Sequence, residues 1–304
     1  MRLHRWIRFS LVGLACLLAA GAAAFAFAVH RGDAKRERTL ALPAHPVALR
    51  DDESAIARGR YLYESRGCAE CHGQDGAGRV FIDDPKSGMR VAAPNISPGP
   101  GNVVAGYRAE DWERTVRHGV KPDGHPLMVM PAEDYSRLTD DDVAAVVAFV
   151  RHLPPAAGGA ADFRLPLVVR ALYGADFITD AAQKIDHTLA PPGPVAEGVT
   201  TDHGRYVGQA CQGCHGPHLS GGAIPGAPPD WPVAANLTPG DGSALRRYPD
   251  AQAFTAMLRS GRRPDGSAVS PVMPFAALGR MNDVDIDALY VYLNSLEPRK
   301  AGAR

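Results

Sequence analysis

The 304-residue sequence is poor in cysteine, with five, and has no excess charge of either sign: 33 Lys and Arg face 33 Asp and Glu. An odd cysteine count argues against a simple disulfide framework. A formal net charge of zero excludes the broad basic surface of a nucleic-acid binder. It also excludes a polyelectrolyte chain, and 45% hydrophobic residues suffice to bury real cores. No stretch alternates convincingly with period two, so an all-α fold is expected. Beyond the N-terminus no apolar run approaches spanning length, since Arg164 and Arg170 interrupt the stretch around Leu165–Ala171. Glycine and proline, by contrast, are plentiful at 32 and 26 residues, which predicts a loop-rich chain. A chain of this length suggests about two domains.

Arg2, Arg5 and Arg8 precede an uncharged run from Phe9 to Val29, long enough to cross a bilayer as a helix. The run exceeds the usual apolar core of a cleaved signal, which favours a retained anchor over residues 1–30. Ala24-Phe25-Ala26 or Ala26-Phe27-Ala28 would serve as a cleavage site, leaving a soluble protein as the alternative. Arg31, Lys35, Arg36 and Arg38 on the far side keep charge alone from fixing the orientation. Cys16, inside the run, reads as a small hydrophobe of the helix.

The rest of the chain is a duplication. Gly59-Arg60-Tyr61 recurs as Gly204-Arg205-Tyr206, and Cys68-Ala69-Glu70-Cys71-His72-Gly73 as Cys211-Gln212-Gly213-Cys214-His215-Gly216. Asn95-Ile96-Ser97-Pro98 returns as Asn236-Leu237-Thr238-Pro239, Pro122-Asp123-Gly124 as Pro264-Asp265-Gly266, and Met130-Pro131 as Met273-Pro274. Cys68 to Met130 and Cys211 to Met273 are both 62 residues. Two modules follow, 48–155 and 199–300, joined by a connector over 156–198 with one helical patch near Val168–Lys184.

Within each module the expected helices are short. Glu53–Arg66 is to be ended by Gly67, Ala109–His118 by Gly119, and Ala251–Ser260 by Gly261. Thr139 with Asp142 and Asn282 with Asp285 look like the starts of the last helices. Those helices carry apolar stripes, Val143, Val146, Val147, Val150 and Leu153 in one and Ile286, Leu289, Leu293 and Leu296 in the other. Gly59 and Gly204 are placed to let the first helix cross the last closely, with Tyr63, Phe149, Tyr206 and Tyr292 packing nearby. Asn95 and Asn236 either bond near a cofactor edge or satisfy a turn. His203 and His218 have no counterparts in the first module and read as solvated.

C-x-x-C-H is the attachment signal for haem c. Two thiols three residues apart on a helical turn can add to the two vinyl groups of one porphyrin, and the adjacent His then lies under the iron. The chain's own residue frequencies give this pattern less than about one chance in a thousand per site, and here it occurs twice, in register with the repeat. A zinc site would not need a His after each pair, and a thioredoxin-like pair would need a βαβ context. The sequence therefore predicts two covalently attached haem c groups, on Cys68, Cys71 and His72 and on Cys211, Cys214 and His215. Haem c is attached outside the bacterial cytoplasmic membrane, so residues after about 30 are expected in the periplasm, with Arg2, Arg5 and Arg8 inside.

For the opposite face of each iron the first module offers Met89, His118, His125, Met128, Met130 and His152. The repeat sorts them: His118, His125 and His152 align with Ser260, Ser267 and Ser295, Met128 with Pro271, and only Met130 and Met273 coincide. A Met before Pro is biased toward extended backbone, from which its thioether can swing toward a flat ligand; Met128 is the substitute for Met130. With His and Met filling both axial positions, the iron is suited to moving one electron rather than binding substrate. Four cysteines are thus thioethers and the fifth belongs to the anchor, so no disulfide is expected.

These residues resemble the class I c-type cytochromes, and within them the membrane-anchored multihaem cytochrome subunits of periplasmic alcohol, aldehyde and gluconate dehydrogenases. Gly-Arg-Tyr ahead of C-x-x-C-H, Ala235-Asn236-Leu237-Thr238-Pro239, Arg263-Pro264-Asp265-Gly266, Val272-Met273-Pro274 and the connector Leu165-Pro166-Leu167-Val168-Val169-Arg170 carry the resemblance, which covers about 48–298. It implies two tandem class I cytochrome c domains after a transmembrane helix, ligation by His72 and His215 with Met130 and Met273 opposite, and no catalysis by the chain itself. It also implies redox partners: a periplasmic dehydrogenase as donor, and a quinone-linked complex or terminal oxidase beyond. The chain departs in having two attachment motifs where those subunits commonly have three. The competing expectation is a diheme cytochrome c peroxidase, which needs one iron open to peroxide and a distal acid–base group; matching Met-Pro loops in both modules argue against it. A haem sensor would need an output domain, for which no residues remain.

Overall fold

The computed structural model describes residues 2–43, 45–227 and 230–303, with backbone only over residues 2–4; the Arg2 side chain lies outside the described part. The elements in chain order are α1 (Arg2–Arg36), α2 (Glu53–Ser65), α3 (Cys68–His72), β1 (Val80–Asp84), β2 (Met89–Ala92), α4 (Ala109–His118), α5 (Ala132–Tyr135) and α6 (Asp140–Arg151). They continue with β3 (Asp162–Arg164), α7 (Leu167–Gly174), α8 (Ala181–Lys184), α9 (Thr201–Val207), α10 (Gln212–His215), α11 (Ala251–Ser260), α12 (Phe275–Leu278) and α13 (Asp283–Ser295).

The helices start and stop where local chemistry requires. Asp52 accepts from the Ala55 N–H to open α2, and Thr200 accepts from the His203 N–H to open α9. The two expected caps of the last helices are present: Thr139 accepts from the Asp142 N–H at 3.2 Å and Asn282 from the Asp285 N–H at 2.7 Å. Helices α4 and α11 end at Gly119 and Gly261, at φ 63° and 66°, a left-handed conformation that suits glycine. Burial follows the predicted stripes, with Val143, Val147 and Val150 inside α6 and Ile286, Leu289 and Leu293 inside α13. A Cβ on Gly59 would land on the carbonyl oxygen of Ala145, and one on Gly204 on that of Ala288. Glycine thus allows α2 to cross α6, and α9 to cross α13, backbone against backbone.

Two hydrophobic cores result. One gathers Tyr63, Trp112, Val147, Phe149 and Leu153; the other gathers Val207, Leu245, Phe254, Leu258 and Leu289. The Tyr63 and Phe149 rings meet at 5.2 Å, and Tyr292 lies against Gly208. Tyr206 departs from the expected packing: its hydroxyl reaches out of its own helical set to Asp142 Oδ2 at 2.6 Å.

The expectation of an all-α fold needs correction. β1, β2 and β3 form an antiparallel sheet in that order, with Ile82 opposite Val91 and Val91 opposite Phe163. The strands are three to five residues long and Val91 is the one fully buried side chain among them. So shallow a sheet leaves little period-two signal in the sequence. The helical patch near Val168–Lys184 is in fact two helices, α7 and α8, separated by a turn in which Asp176 takes φ 64°. His203 is also corrected. It is 2% exposed, and its Nε2 lies 2.7 Å from Asp285 Oδ1. His218 is exposed as expected.

Candidate haem sites

Each C-x-x-C-H segment folds as a single helical turn, α3 or the turn around α10, which sets the two cysteines one turn apart with the His directly after. Both turns end in a glycine of nearly the same conformation, Gly73 at φ 77°, ψ 167° and Gly216 at φ 80°, ψ 165°. The following loop then folds back, with Gly78 N–H donating to His72 O and Gly221 N–H to His215 O, both at 2.8 Å.

The histidines are oriented alike. His72 Nδ1 lies 3.1 Å from Pro94 O, and His215 Nδ1 lies 2.8 Å from Ala235 O. A carbonyl can only accept, so Nδ1 carries the proton and Nε2 carries the lone pair, the arrangement of a metal-ligating imidazole. Burial holds the His72 pKa below its ordinary value, which keeps the ring neutral and ready to ligate.

Asn95 and Asn236 follow these two carbonyls directly. Asn95 Oδ1 accepts from Ser97 N–H and Oγ–H at 2.8 and 2.7 Å, and its Nδ2 donates to Ala156 O. Asn236 does the same with Thr238 N–H and Oγ1–H, both at 2.9 Å, and donates to Arg299 O. The turn-satisfying reading of these residues therefore holds. Their effect on the site is indirect, because they stiffen the loop whose carbonyl aims the histidine.

Burial keeps the attachment thiols protonated. Burial pushes Cys68 and Cys211 up to about 12, and raises Cys71 as well. Among the described residues no three His, Cys, Asp or Glu side chains converge as a metal site, so the two pairs do not build a four-thiolate cage. No disulfide joins any of the five cysteines.

Met130 and Met273 sit at the same turn. Met130 O accepts from Ala132 N–H and Met273 O from Phe275 N–H, each at 2.8 Å, and the intervening prolines share φ −79° with ψ 63° and 67°. Both methionines are half-buried, and Met273 packs on the second core. The other first-module candidates are placed differently. His118 lies 2.9 Å from His187 Nδ1 and 3.2 Å from Glu113 Oε1. His125 Nδ1 faces Asp123 at 3.1 Å, His152 Nδ1 faces Ala148 O at 2.8 Å, and Met89 belongs to β2. Met128 is half-buried in the loop ahead of Met130.

Contacts between the two helical sets had no signal in either set alone. Tyr61 pairs with Asp285 and Tyr206 with Asp142. Asp134, four residues after Met130, lies against Gly213 inside the second C-x-x-C-H turn. Burial and the nearby Glu133 push the Asp134 carboxyl up to about 7.

The chain is similar to known cytochromes. The family of cytochrome c oxidase, cbb3-type, subunit III matches residues 54–150. The cytochrome c subunit of the quinone alcohol dehydrogenase of Gluconobacter oxydans (strain 621H) is 28% identical over 271 residues, 81% of this chain and 55% of that protein. The fructose dehydrogenase cytochrome subunit of Gluconobacter japonicus is 29% identical over 290 residues, 86% of this chain and 56% of its own. A diheme cytochrome c-type protein of Cereibacter sphaeroides is 26% identical over 223 residues, 67% and 68% of the two chains. The chain spans little more than half the length of the first two relatives. These relatives are cytochrome subunits rather than catalytic ones, and the peroxidase alternative finds no support among them. Residues 54–150 are a class I c-type cytochrome domain, and more than four-fifths of the chain is homologous to the cytochrome c subunits of quinone alcohol and fructose dehydrogenases.

Proposed function

We propose that this chain is a diheme electron-transfer protein. Residues 48–155 and 199–300 are two tandem cytochrome c domains, and 156–198 connects them. Each domain would hold one haem c, through Cys68, Cys71 and His72 or through Cys211, Cys214 and His215, with Met130 and Met273 as the further iron ligands. Haem c supplies a one-electron couple. The chain's own residues bind it, aim its imidazole ligand through Pro94 O and Ala235 O, and keep water from its face with the two cores. The observation that carries the reading is the matched His72–Pro94 and His215–Ala235 pair at 3.1 and 2.8 Å, repeated at equivalent positions of the duplication.

The N-terminal helix is read as a retained anchor in the bacterial inner membrane. Its Arg5–Arg36 stretch has a mean hydropathy of 2.3 in its most apolar window, none of it buried within the protein. The haem domains then face the periplasm, where a dehydrogenase would deliver electrons and a quinone-linked complex or terminal oxidase would receive them. Near-infrared absorption tests the ligation. The oxidised protein is expected to show the methionine-to-iron band with an intensity for two haems, and Met130→Ala to halve it. A high-spin haem in the resting protein, or an unchanged band in Met130→Ala, would overturn the assignment. Purification in mild detergent tests the partners, since a dehydrogenase is expected to co-elute and isolation of the chain alone would favour a free-standing carrier.

A further inference from the structure

Helix α7 is bound to the end of α1 by backbone contact. A Cβ on Gly32 of α1 would collide with Arg170 O, and one on Gly174 of α7 with Ala28 O. Ion pairs reinforce the crossing: Arg170 with Asp33, Arg31 with Asp176 at 2.7 Å, and Lys35 with Asp176 at 2.6 Å. Arg38 adds a bidentate bond to Asp180 at 2.8 and 2.9 Å. The connector is therefore fixed to α1 at residues 28–38, where the apolar run ends.

Along its length α7 exposes apolar side chains, as does the turn that follows it. Leu167 is 53% exposed, Val168 59%, and Phe177, directly after Asp176, 75%. Leu172, one turn after Val168, is exposed as well. Gly174 and Asp176 meet α1 at Ala28 and Arg31, so the α7 C-terminus and Phe177 lie beside the last turns of the apolar run. Phe25 and Phe27 of that run are also exposed. The apolar surface of α1 thus continues onto α7 across a close-packed crossing. The cations Arg31 and Lys35 stand next to it, at the depth where phospholipid headgroups would lie.

We infer that the exposed face of α7, with Phe177 at its tip, rests in the membrane–water interface on the side of the haem domains and sets their orientation on the bilayer. The occupant of this face is lipid, because the face is continuous with the surface that the anchor presents to lipid and is bordered by cations. The inference rests on the reading of α1 as a retained anchor, since a cleaved signal would remove the bilayer from this site.

Photo-crosslinking of the full chain in native membranes separates the two. A benzophenone amino acid is placed in turn at Phe177, at Leu18 in the anchor and at Val233, which is exposed in the second helical set. The haem absorption of each variant confirms that it has folded. Phospholipid adducts are then identified by mass spectrometry of the labelled peptides. The inference predicts lipid adducts at 177 in yield comparable to 18 and about tenfold above 233. Adducts at 18 with none at 177 would overturn the interfacial face and leave the anchor standing. Adducts at neither position would overturn the anchor, and the inference with it. A protein adduct at 177 would also overturn it, showing that the face docks another subunit.

Discussion

The Tyr61 hydroxyl donates a 2.5 Å hydrogen bond to Asp285 Oδ2, three residues past the cap of the last helix of the other helical set. The same hydroxyl accepts from Asn282 N–H at 3.1 Å. The repeat copies both bonds in the opposite direction: Tyr206 donates to Asp142 at 2.6 Å and accepts from Thr139 N–H at 3.2 Å. Each Gly-Arg-Tyr thus uses its glycine to pack within its own set and its tyrosine to reach the other. Arg66 joins Asp285 at 2.6 Å and Arg58 joins Asp142 at 2.9 Å, so the two carboxylates are held from both sides.

The Asp285 half of this interface is deeply buried, so removing the carboxylate is expected to cost more than removing one of its donors. Asp285 and His203 are fully buried, and the Arg66 side chain nearly so. Asp285→Ala leaves two buried cation-capable groups without their carboxylate and is expected to cost about 3–5 kcal/mol. Tyr61→Phe removes one charge-assisted hydrogen bond and is expected to cost about 1.5–3 kcal/mol. Denaturant midpoints of the holoprotein measure both; equal costs would contradict the account.

Asp285 also predicts acid sensitivity. Burial pushes its carboxyl up, but Arg66 and the hydrogen bonds from Tyr61, Arg66 and His203 outweigh burial and hold it below the usual range. Its contribution is therefore present above the unfolded carboxylate value of about 3.9 and lost as pH falls through the folded pKa. Asp285→Asn is expected to lose stability at pH 7 and to show less further loss on acidification than the parent.

Asp134 works in the opposite sense. Its carboxyl is raised to about 7, so the folded state binds that proton more tightly than the unfolded chain. Stability should fall as pH rises from about 4 toward 7 and stay lowered above it. Asp134→Asn is expected to recover about 1–2 kcal/mol at pH 8, discounted for a side chain that keeps some contact with solvent, and almost nothing at pH 4. Unfolding curves at the two pH values check this, and a larger gain at pH 4 would refute it.

The glycine crossings give a steric prediction. Gly59→Ala and Gly204→Ala each drive a methyl into a helical carbonyl, at a cost of about 3 kcal/mol or more. Gly13→Ala on the open face of α1, where a Cβ meets nothing, is the control and should be neutral or slightly stabilising.

Asn95→Ala and Asn236→Ala are expected to cost about 1–3 kcal/mol each by leaving buried loop donors and acceptors unsatisfied. Because the loop aims His72 or His215, each variant should also lose its native iron ligation at a lower temperature, the covalently attached haem staying on the chain. Haem absorption during a thermal ramp reads both effects.

Features set by local chemistry were legible in the sequence. The caps at Thr139 and Asn282, the stop at Gly119, the stripes of α6 and α13 and the close crossings at Gly59 and Gly204 depend on residues a few positions apart, or on a repeat that names its own equivalents. The small sheet was not, because its strands bury almost nothing and bear no clear alternation. His203 was misjudged because its partner, Asp285, lies 82 positions away. The bonds from Tyr61 and Tyr206 were missed for a related reason: comparing the two copies shows what they share, not what each contributes to the other. The connector's docking on α1 depends on two glycines, Gly32 and Gly174, that no local motif distinguishes.

Both C-x-x-C-H turns are expected to carry haem c in the mature protein. The intact mass of the chain purified from its native membranes reads this out. The expected mass is that of a polypeptide that retains residues 1–30 plus two covalently bound haem groups, falling to one haem in Cys214→Ser with Cys211→Ser. A native mass with a single haem, or with none, would contradict it.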